Sequence, residues 1–237
     1  MNRRGALLVF IVFFLAWPAL AQAAGDDPRA AVEELLVAEG LDPAKVRSLL
    51  QDSRVSVRPE IVLKNLFFSK PKGSGKDPDV MEIDPRQIER GREFMKENDA
   101  VLSDVERRFG TSPRIITAIL IIESRLGTYP MPYNVVNAYA NLAFMADPAY
   151  WEEIQSRYGD AYPEIRSDAA AARAKQKAKW AVRELYHLSQ IADHLGIDPL
   201  SLSGSFAGAM GPAQFIPSSF WVFGMDGNGD GLADPSN

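Results

Sequence analysis

A chain of 237 residues with 46% hydrophobic content can bury one real core, while two large domains would be cramped. It has no cysteine, which excludes disulfides, thiol chemistry, zinc-thiolate sites and a lipid-modified cysteine at a mature N-terminus. The formal net charge is −5, and loss of Arg3 and Arg4 with a leader takes it to −7, which argues against a nucleic-acid partner.

The N-terminus reads Asn2-Arg-Arg4, an apolar run from Ala6 to Trp17, then Pro18-Ala-Leu-Ala-Gln-Ala23. This is the order of a secretory signal peptide over residues 1–23, with cleavage after Ala23 or Ala24. The run is shorter than the roughly 20 residues of a comfortable membrane span, so no stable membrane anchor is expected; an uncleaved anchor is the alternative. Without a cysteine the chain is not expected to be a lipoprotein, and the expected location is the cell envelope, the periplasm where the cell is Gram-negative.

Residues 24–69 read as an N-terminal helical region, with amphipathic patterns over Pro28 to Glu39 and Pro43 to Leu50 separated by Gly40-Leu-Asp42. Residues 70–79 lack apolar content and carry turn formers, which marks a linker or loop. Residues 80–237 form the main domain. Asp84 caps and Pro85 starts a long helix there, whose Ile88, Met95, Leu102 and Phe109 recur every seven residues until Gly110 ends it.

A second helix runs from Pro113 towards Leu126, bounded by Ser112 as N-cap and Gly127 as stop. A third runs from Ser167 to Leu195, with Trp180, Leu185, Leu188, Ile191 and Leu195 as its buried face and Gly196 as its stop. Its stretch Ala169 to Ala178, with interspersed Lys and Arg, reads as a solvated helix face and not as a nucleic-acid contact. His187 and His194 are seven residues apart, about two turns, so the pair is not expected to chelate a metal. No segment alternates with period two over strand length, so the fold class is mainly α.

Two segments carry chemistry. In the helix from Pro113, Glu123 is a lone carboxylate among apolar residues, sharing its face with Leu120, Ile119 and Ile116. Burial there is expected to raise its pKa and make it a proton donor; a carboxylate frayed into solvent is the bland alternative. The second segment, Gly204-Ser-Phe-Ala-Gly-Ala-Met-Gly-Pro-Ala-Gln-Phe-Ile-Pro-Ser-Ser219, is rich in small residues with isolated large or polar ones. Small residues let the backbone approach a ligand, while Ser205, Gln214, Ser218 and Ser219 offer neutral hydrogen-bonding groups suited to a sugar. Met210 and Phe215 have ordinary core as their alternative.

Glu123-Ser-Arg-Leu-Gly127 and the segment 204–219 together resemble the family of lytic murein transglycosylases related to the membrane-bound B-type enzyme. The likeness extends more loosely from Pro59 to Pro235, through Phe109-Gly-Thr-Ser-Pro113 and Asn137-Ala-Tyr-Ala-Asn-Leu-Ala-Phe144. It implies a lysozyme-like, goose-type catalytic fold, peptidoglycan glycan strands as substrate, Glu123 as the catalytic acid/base, and Ser205, Met210, Gln214 and Phe215 as glycan contacts. It also implies further helices and a Tyr/Asn-bearing stretch beyond Asn237, so the catalytic domain is expected to lack its C-terminal part. The basic pair that the family places after its Leu-Ala-Phe-like motif is not found between Ala146 and Ser167.

Glycosidic cleavage needs a proton on the leaving oxygen and support for an oxocarbenium-like carbon, and hydrolases usually add a second carboxylate ~5 Å or ~6.5–9.5 Å away. None lies between Glu123 and Asp147. The resemblance implies instead that one glutamate acts as acid, then as base on the C6 hydroxyl of the N-acetylmuramoyl residue, closing a 1,6-anhydro ring without water or cofactor. A hydrolytic muramidase and a non-catalytic, calcium-stabilised murein-binding protein are the alternatives. Anhydromuramoyl versus reducing-end products separate the first two.

Finally, Asp226-Gly-Asn-Gly-Asp-Gly-Leu-Ala-Asp234 places Asp226, Asn228, Asp230 and Asp234 at positions 1, 3, 5 and 9 of an EF-hand-like calcium loop, with Gly231 at 6 and the Leu232 carbonyl at 7. Position 12, where a bidentate glutamate is expected, is Asn237. The expectation is a structural calcium ion, with an acidic Gly/Asp turn as the alternative.

Overall fold

The computed structural model describes residues 27–67 and 84–235. The leader over 1–23, the loop over 70–79 and Asn237 lie outside the described residues.

Helices dominate. They are α1 (Arg29–Ala38), α2 (Pro43–Gln51), α3 (Pro59–Phe67), α4 (Pro85–Glu97), α5 (Asp99–Phe109), α6 (Pro113–Ser124), α7 (Val135–Ala143), α8 (Pro148–Tyr158), α9 (Asp168–Leu195) and α10 (Pro217–Phe223). Strand β1 (Tyr133–Asn134) pairs antiparallel with β2 (Ser203–Gly204), Tyr133 facing Gly204 and Asn134 facing Ser203.

An acceptor followed by proline starts several of these helices. Asp42 accepts from the Lys45 amide, Asp84 from Arg86, Ser112 from Arg114, and Asp147 from Ala149 and Tyr150, each just ahead of a proline. Such a residue satisfies an amide that the first turn leaves without a partner, while proline has no amide to satisfy and already holds a helical φ.

Of the described residues, 27–56 and 140–183 form one compact unit, and 57–67, 84–139 and 184–235 form the other. In the first, α1 packs against α2 and against the 3₁₀ turn Phe144–Ala146. Val32, Leu36, Val46 and Leu50 supply the buried faces of the two helices. Arg29 ties this end together, donating to the Val55 carbonyl at 3.0 Å and standing over the Phe144 ring. In the same unit Phe144 meets Tyr150 edge-on, and Ile154 and Ile165 are buried.

In the second unit α4 and α5 both pack on α6. The single long helix expected from Asp84 to Phe109 is instead these two, divided at Asn98. The Asn98 side-chain amide donates to the Phe94 carbonyl at 2.9 Å, and the residue leaves helical geometry at φ −109°. An Asn side chain that competes for a helix carbonyl favours such a break. The seven-residue stripe therefore does not become one buried face: Leu102 is buried, but Ile88 and Phe109 are exposed. α4 packs through Gly91, where an added Cβ would lie 2.7 Å from Ile121 Cδ1 and 3.3 Å from Thr117 Cγ2.

α9 follows expectation more closely. Leu185, Leu188 and Ile191 are buried, Trp180 and Leu195 partly so, and Gly196 ends the helix at φ +63°. Its Ala-rich N-terminal part buries Ala174 and Ala178, while Arg173 and Lys175 beside them are exposed. Among the described residues, no helix is long and apolar enough to cross a membrane.

Candidate active site

Glu123 stands in the last turn of α6, and it is exposed. The expected burial is not what this structure shows, and the reason lies in which face of α6 is covered. Thr117 and Ser124 are buried towards the helices that pack on α6, which leaves Ile115, Ile119 and Ile122 at 55%, 49% and 53% exposure. These three, at helical spacing, form an open apolar ridge, and Glu123 is one turn beyond Ile119. The carboxylate therefore stands accessible beside apolar surface.

The helix stops at Ser124, two residues short of Leu126. Arg125, Leu126 and Gly127 all adopt left-handed geometry, with φ of +52°, +61° and +76°. Two of the three carry a Cβ, which disfavours that region, so the turn must be held by its surroundings. Ser124 supplies that hold. Its Oγ donates to the Leu120 carbonyl at 3.3 Å and accepts from the Gly127 amide at 2.8 Å, while its own carbonyl accepts from the Tyr129 amide at 2.8 Å. Ser124 lies inside the Glu-Ser-Arg motif, and its part was not read from the sequence.

This turn brings the two motifs together. A Cβ built on Gly127 would lie 3.6 Å from the Pro212 ring, and the Gln214 amide reaches the Met131 sulfur at 3.6 Å. Segment 204–219 is a narrow looped ladder. Ser205 N–H donates to the Ala209 carbonyl at 2.9 Å, and Met210 and Phe215 exchange backbone hydrogen bonds at 2.8 and 3.0 Å. Ser205 Oγ accepts from the Ala209 amide at 3.1 Å. Gln214, at φ +53°, donates its side-chain amide to the Gly211 carbonyl at 2.9 Å.

The expected glycan contacts divide accordingly. Ser205 and Gln214 are partly exposed and Phe215 is 37% exposed, whereas Met210 is only 1% exposed. Met210 is thus corrected from a contact to a core side chain, because the bridges to Gly204 and Phe215 turn it inward.

Three buried polar side chains hold the ladder from behind. Asn65 on α3 donates to the Phe206 carbonyl at 3.0 Å, and the Tyr139 hydroxyl on α7 donates to the Gly208 carbonyl at 3.0 Å. Glu184 on α9, 2% exposed, accepts from the Ser218 amide and from Ser218 Oγ, both at 2.8 Å. Burial, and secondarily the Glu184 charge, push the Tyr139 phenol well above its usual range. None of the three was picked out in the sequence. Glu184 sits four residues from both Trp180 and Leu188 on the face read as apolar, which was the available signal.

The acidic loop folds around its first residue. Asp226 accepts from the Gly229 amide at 2.6 Å and the Gly231 amide at 2.8 Å, and these hydrogen bonds, Gly231's first, hold its carboxyl below the usual carboxylate range. Gly229 and Gly231 have φ of +80° and +91°. Asp230 accepts from the Leu232 amide at 2.9 Å and from the Asn228 side chain at 2.8 Å. The all-oxygen donor set of Asp226, Asn228, Asp230, Asp234 and the Leu232 carbonyl suits a hard cation such as calcium. Among the described residues, however, no three His, Cys, Asp or Glu side chains converge as a metal cluster.

The Transglycosylase SLT domain family matches residues 26–237. Membrane-bound lytic murein transglycosylase B of Escherichia coli (strain K12) is 26% identical over 217 residues, covering 86% of this chain and 52% of that protein. Escherichia coli lytic transglycosylase Slt35 in complex with calcium is similar in structure at a TM-score of 0.63 and 24% identity, over 91% of this chain and 61% of that one. SltB3 of Pseudomonas aeruginosa, in complex with NAG-NAM-pentapeptide, is similar at a TM-score of 0.63 and 21% identity, over 90% of this chain and 50% of that one. The chain thus spans about half the length of the curated relative it matches.

Proposed function

Because the chain belongs to the Transglycosylase SLT domain family, we propose that it is a peptidoglycan lytic transglycosylase that cleaves the MurNAc-GlcNAc β-1,4 bond and leaves a 1,6-anhydro-MurNAc end. The observation that carries this reading is the convergence of the Glu123 turn on the ladder of Ser205, Gln214 and Phe215, through Gly127 against Pro212 and Gln214 against Met131.

Glu123 is the acid and then the base. It gives a proton to the bridging oxygen as the glycosidic bond breaks, and the carboxylate then takes the proton of the C6 hydroxyl as that oxygen bonds to C1. Atoms balance without water, so no second carboxylate is required. Glu123 is exposed on α6, and a glycan lying over the Ile119 and Ile122 ridge would supply dry surroundings that favour proton transfer. Phe215 offers an apolar surface for a sugar face, and Ser205 and Gln214 offer neutral hydrogen-bonding groups.

Calcium, where bound, supplies structure only. Asp226, Asn228, Asp230, Asp234 and the Leu232 carbonyl would hold it, and the loop's hydrogen bonds already give the chain the bend that such a site needs. The cleaved signal peptide over 1–23 and a periplasmic location complete the reading.

The test is Glu123→Gln, which keeps side-chain size while removing the transferable proton. The variant should keep its far-ultraviolet circular dichroism and lose turbidity clearing of purified sacculi by about a thousandfold or more, a loss in the range of a missing general acid. Equal clearing by variant and wild type would remove Glu123 from the mechanism.

A further inference from the structure

Glu184 is 2% exposed, and among the described residues its hydrogen-bond partners both belong to Ser218. Taking a carboxylate out of water is costly, and the cost is offset only by donors in fixed geometry. Here one oxygen takes the backbone N–H and the other takes the hydroxyl of the same residue. This pins Ser218 in both position and rotation, which a single hydrogen bond would not do.

Ser218 stands in the first turn of α10, whose N-cap Ile216 has no side-chain acceptor. Glu184, 34 residues earlier in the chain, takes the place of a local cap. Only Phe215, Ile216 and Pro217 separate Ser218 from Gln214, and two of these have little freedom. Phe215 is bonded at both backbone groups to Met210, and proline fixes its own φ. Two residues after Ser218, Phe220 meets Phe215 edge-on at 6.3 Å. The orientation of Phe215 and the left-handed φ of Gln214 are therefore both tied to where Ser218 is held.

We propose that Glu184 is a positioning residue for glycan recognition, acting through Ser218 to keep Gln214 and Phe215 set before the glycan arrives. This rests on the reading of Ser205, Gln214 and Phe215 as the glycan-binding wall. Preset groups lose less freedom on binding, so the effect falls on affinity more than on turnover at saturation.

Two measurements on Glu184→Ala and Glu184→Gln test it. The first is amide hydrogen exchange over residues 210–219, with α6 as the internal reference. The second is the affinity of a GlcNAc-MurNAc tetrasaccharide, measured in a Glu123→Gln background to prevent turnover. Glu184→Ala should speed exchange over 210–219 and weaken binding by about tenfold each, with α6 unchanged, in line with the loss of a helix-capping interaction. Glu184→Gln should stay near the parent in both, because its carbonyl can accept the Ser218 amide and its NH₂ can donate to Ser218 Oγ. A merely stabilising role predicts lower thermal stability with unchanged affinity well below the melting temperature, and that result would overturn the proposal. So would unchanged exchange over 210–219 in folded Glu184→Ala. Should Glu184→Ala fail to fold, Ser218→Ala carries the same comparison by removing the hydroxyl donor. If the parent itself does not bind the tetrasaccharide while Glu184→Ala still loosens 210–219, the wall assignment falls and the mechanical link stands.

Discussion

Gly208 has φ +84°, and a Cβ placed there would run into the Tyr139 ring. The hydroxyl of that ring donates to the Gly208 carbonyl, so one glycine serves both a turn and a close approach. Gly208→Ala should lower unfolding free energy by about 3 kcal/mol, the sum of backbone strain and overpacking, as read by urea denaturation. Tyr139 makes a separate prediction. Burial raises its folded-state pKa, so the folded protein keeps the phenolic proton where the unfolded chain gives it up. The stability linked to this group is intact below about pH 10 and falls as pH rises above that value. Tyr139→Phe should cost about 1 kcal/mol at neutral pH through the lost hydrogen bond and flatten the decline above pH 10. A decline as steep as that of the wild type would place the alkaline sensitivity elsewhere.

Among the elements, α4 and α6 meet at Gly91, and α6 carries Glu123. Gly91→Val should force the two helices apart at Ile121 and Thr117 and cost about 1–3 kcal/mol in thermal or urea unfolding. A neutral result would mean that Ile121 swings aside without displacing α4. The features legible in the sequence are those settled within one turn. Asp84 and Ser112, each ahead of a proline, announced two helix starts, and Gly110 and Gly196 announced two ends. The division at Asn98 was not legible, because a seven-residue stripe continues across it and only the Asn98 side chain turns against the helix. Met210 was misread because its burial depends on bridges to Gly204 and Phe215 that spacing does not reveal. Glu184 escaped notice because its partner is 34 residues away. The two chemical motifs were found by residue type, but their meeting at Gly127 and Pro212 is a tertiary fact. The exposure of Glu123 is another, decided by which face of α6 its neighbours cover.

At the scale of the whole molecule, calcium binding makes a prediction that no single hydrogen bond makes. An ion that binds only the folded loop raises the melting temperature in proportion to the logarithm of its excess over Kd. Adding calcium should therefore raise the melting temperature of the purified protein, and Asp230→Ala should abolish the rise, each protein being compared with its own calcium-free value. No shift with the native chain would leave residues 226–234 as an acidic turn held by its own amides.

The reaction itself is tested most directly by digesting purified sacculi in water enriched in oxygen-18 and weighing the soluble muropeptides by mass spectrometry. A single glutamate that closes the ring with the sugar's own C6 oxygen predicts anhydromuramoyl ends carrying no label from solvent, and no such products from Glu123→Gln. Reducing ends that carry one oxygen-18 would show that water attacks C1, and would contradict the account.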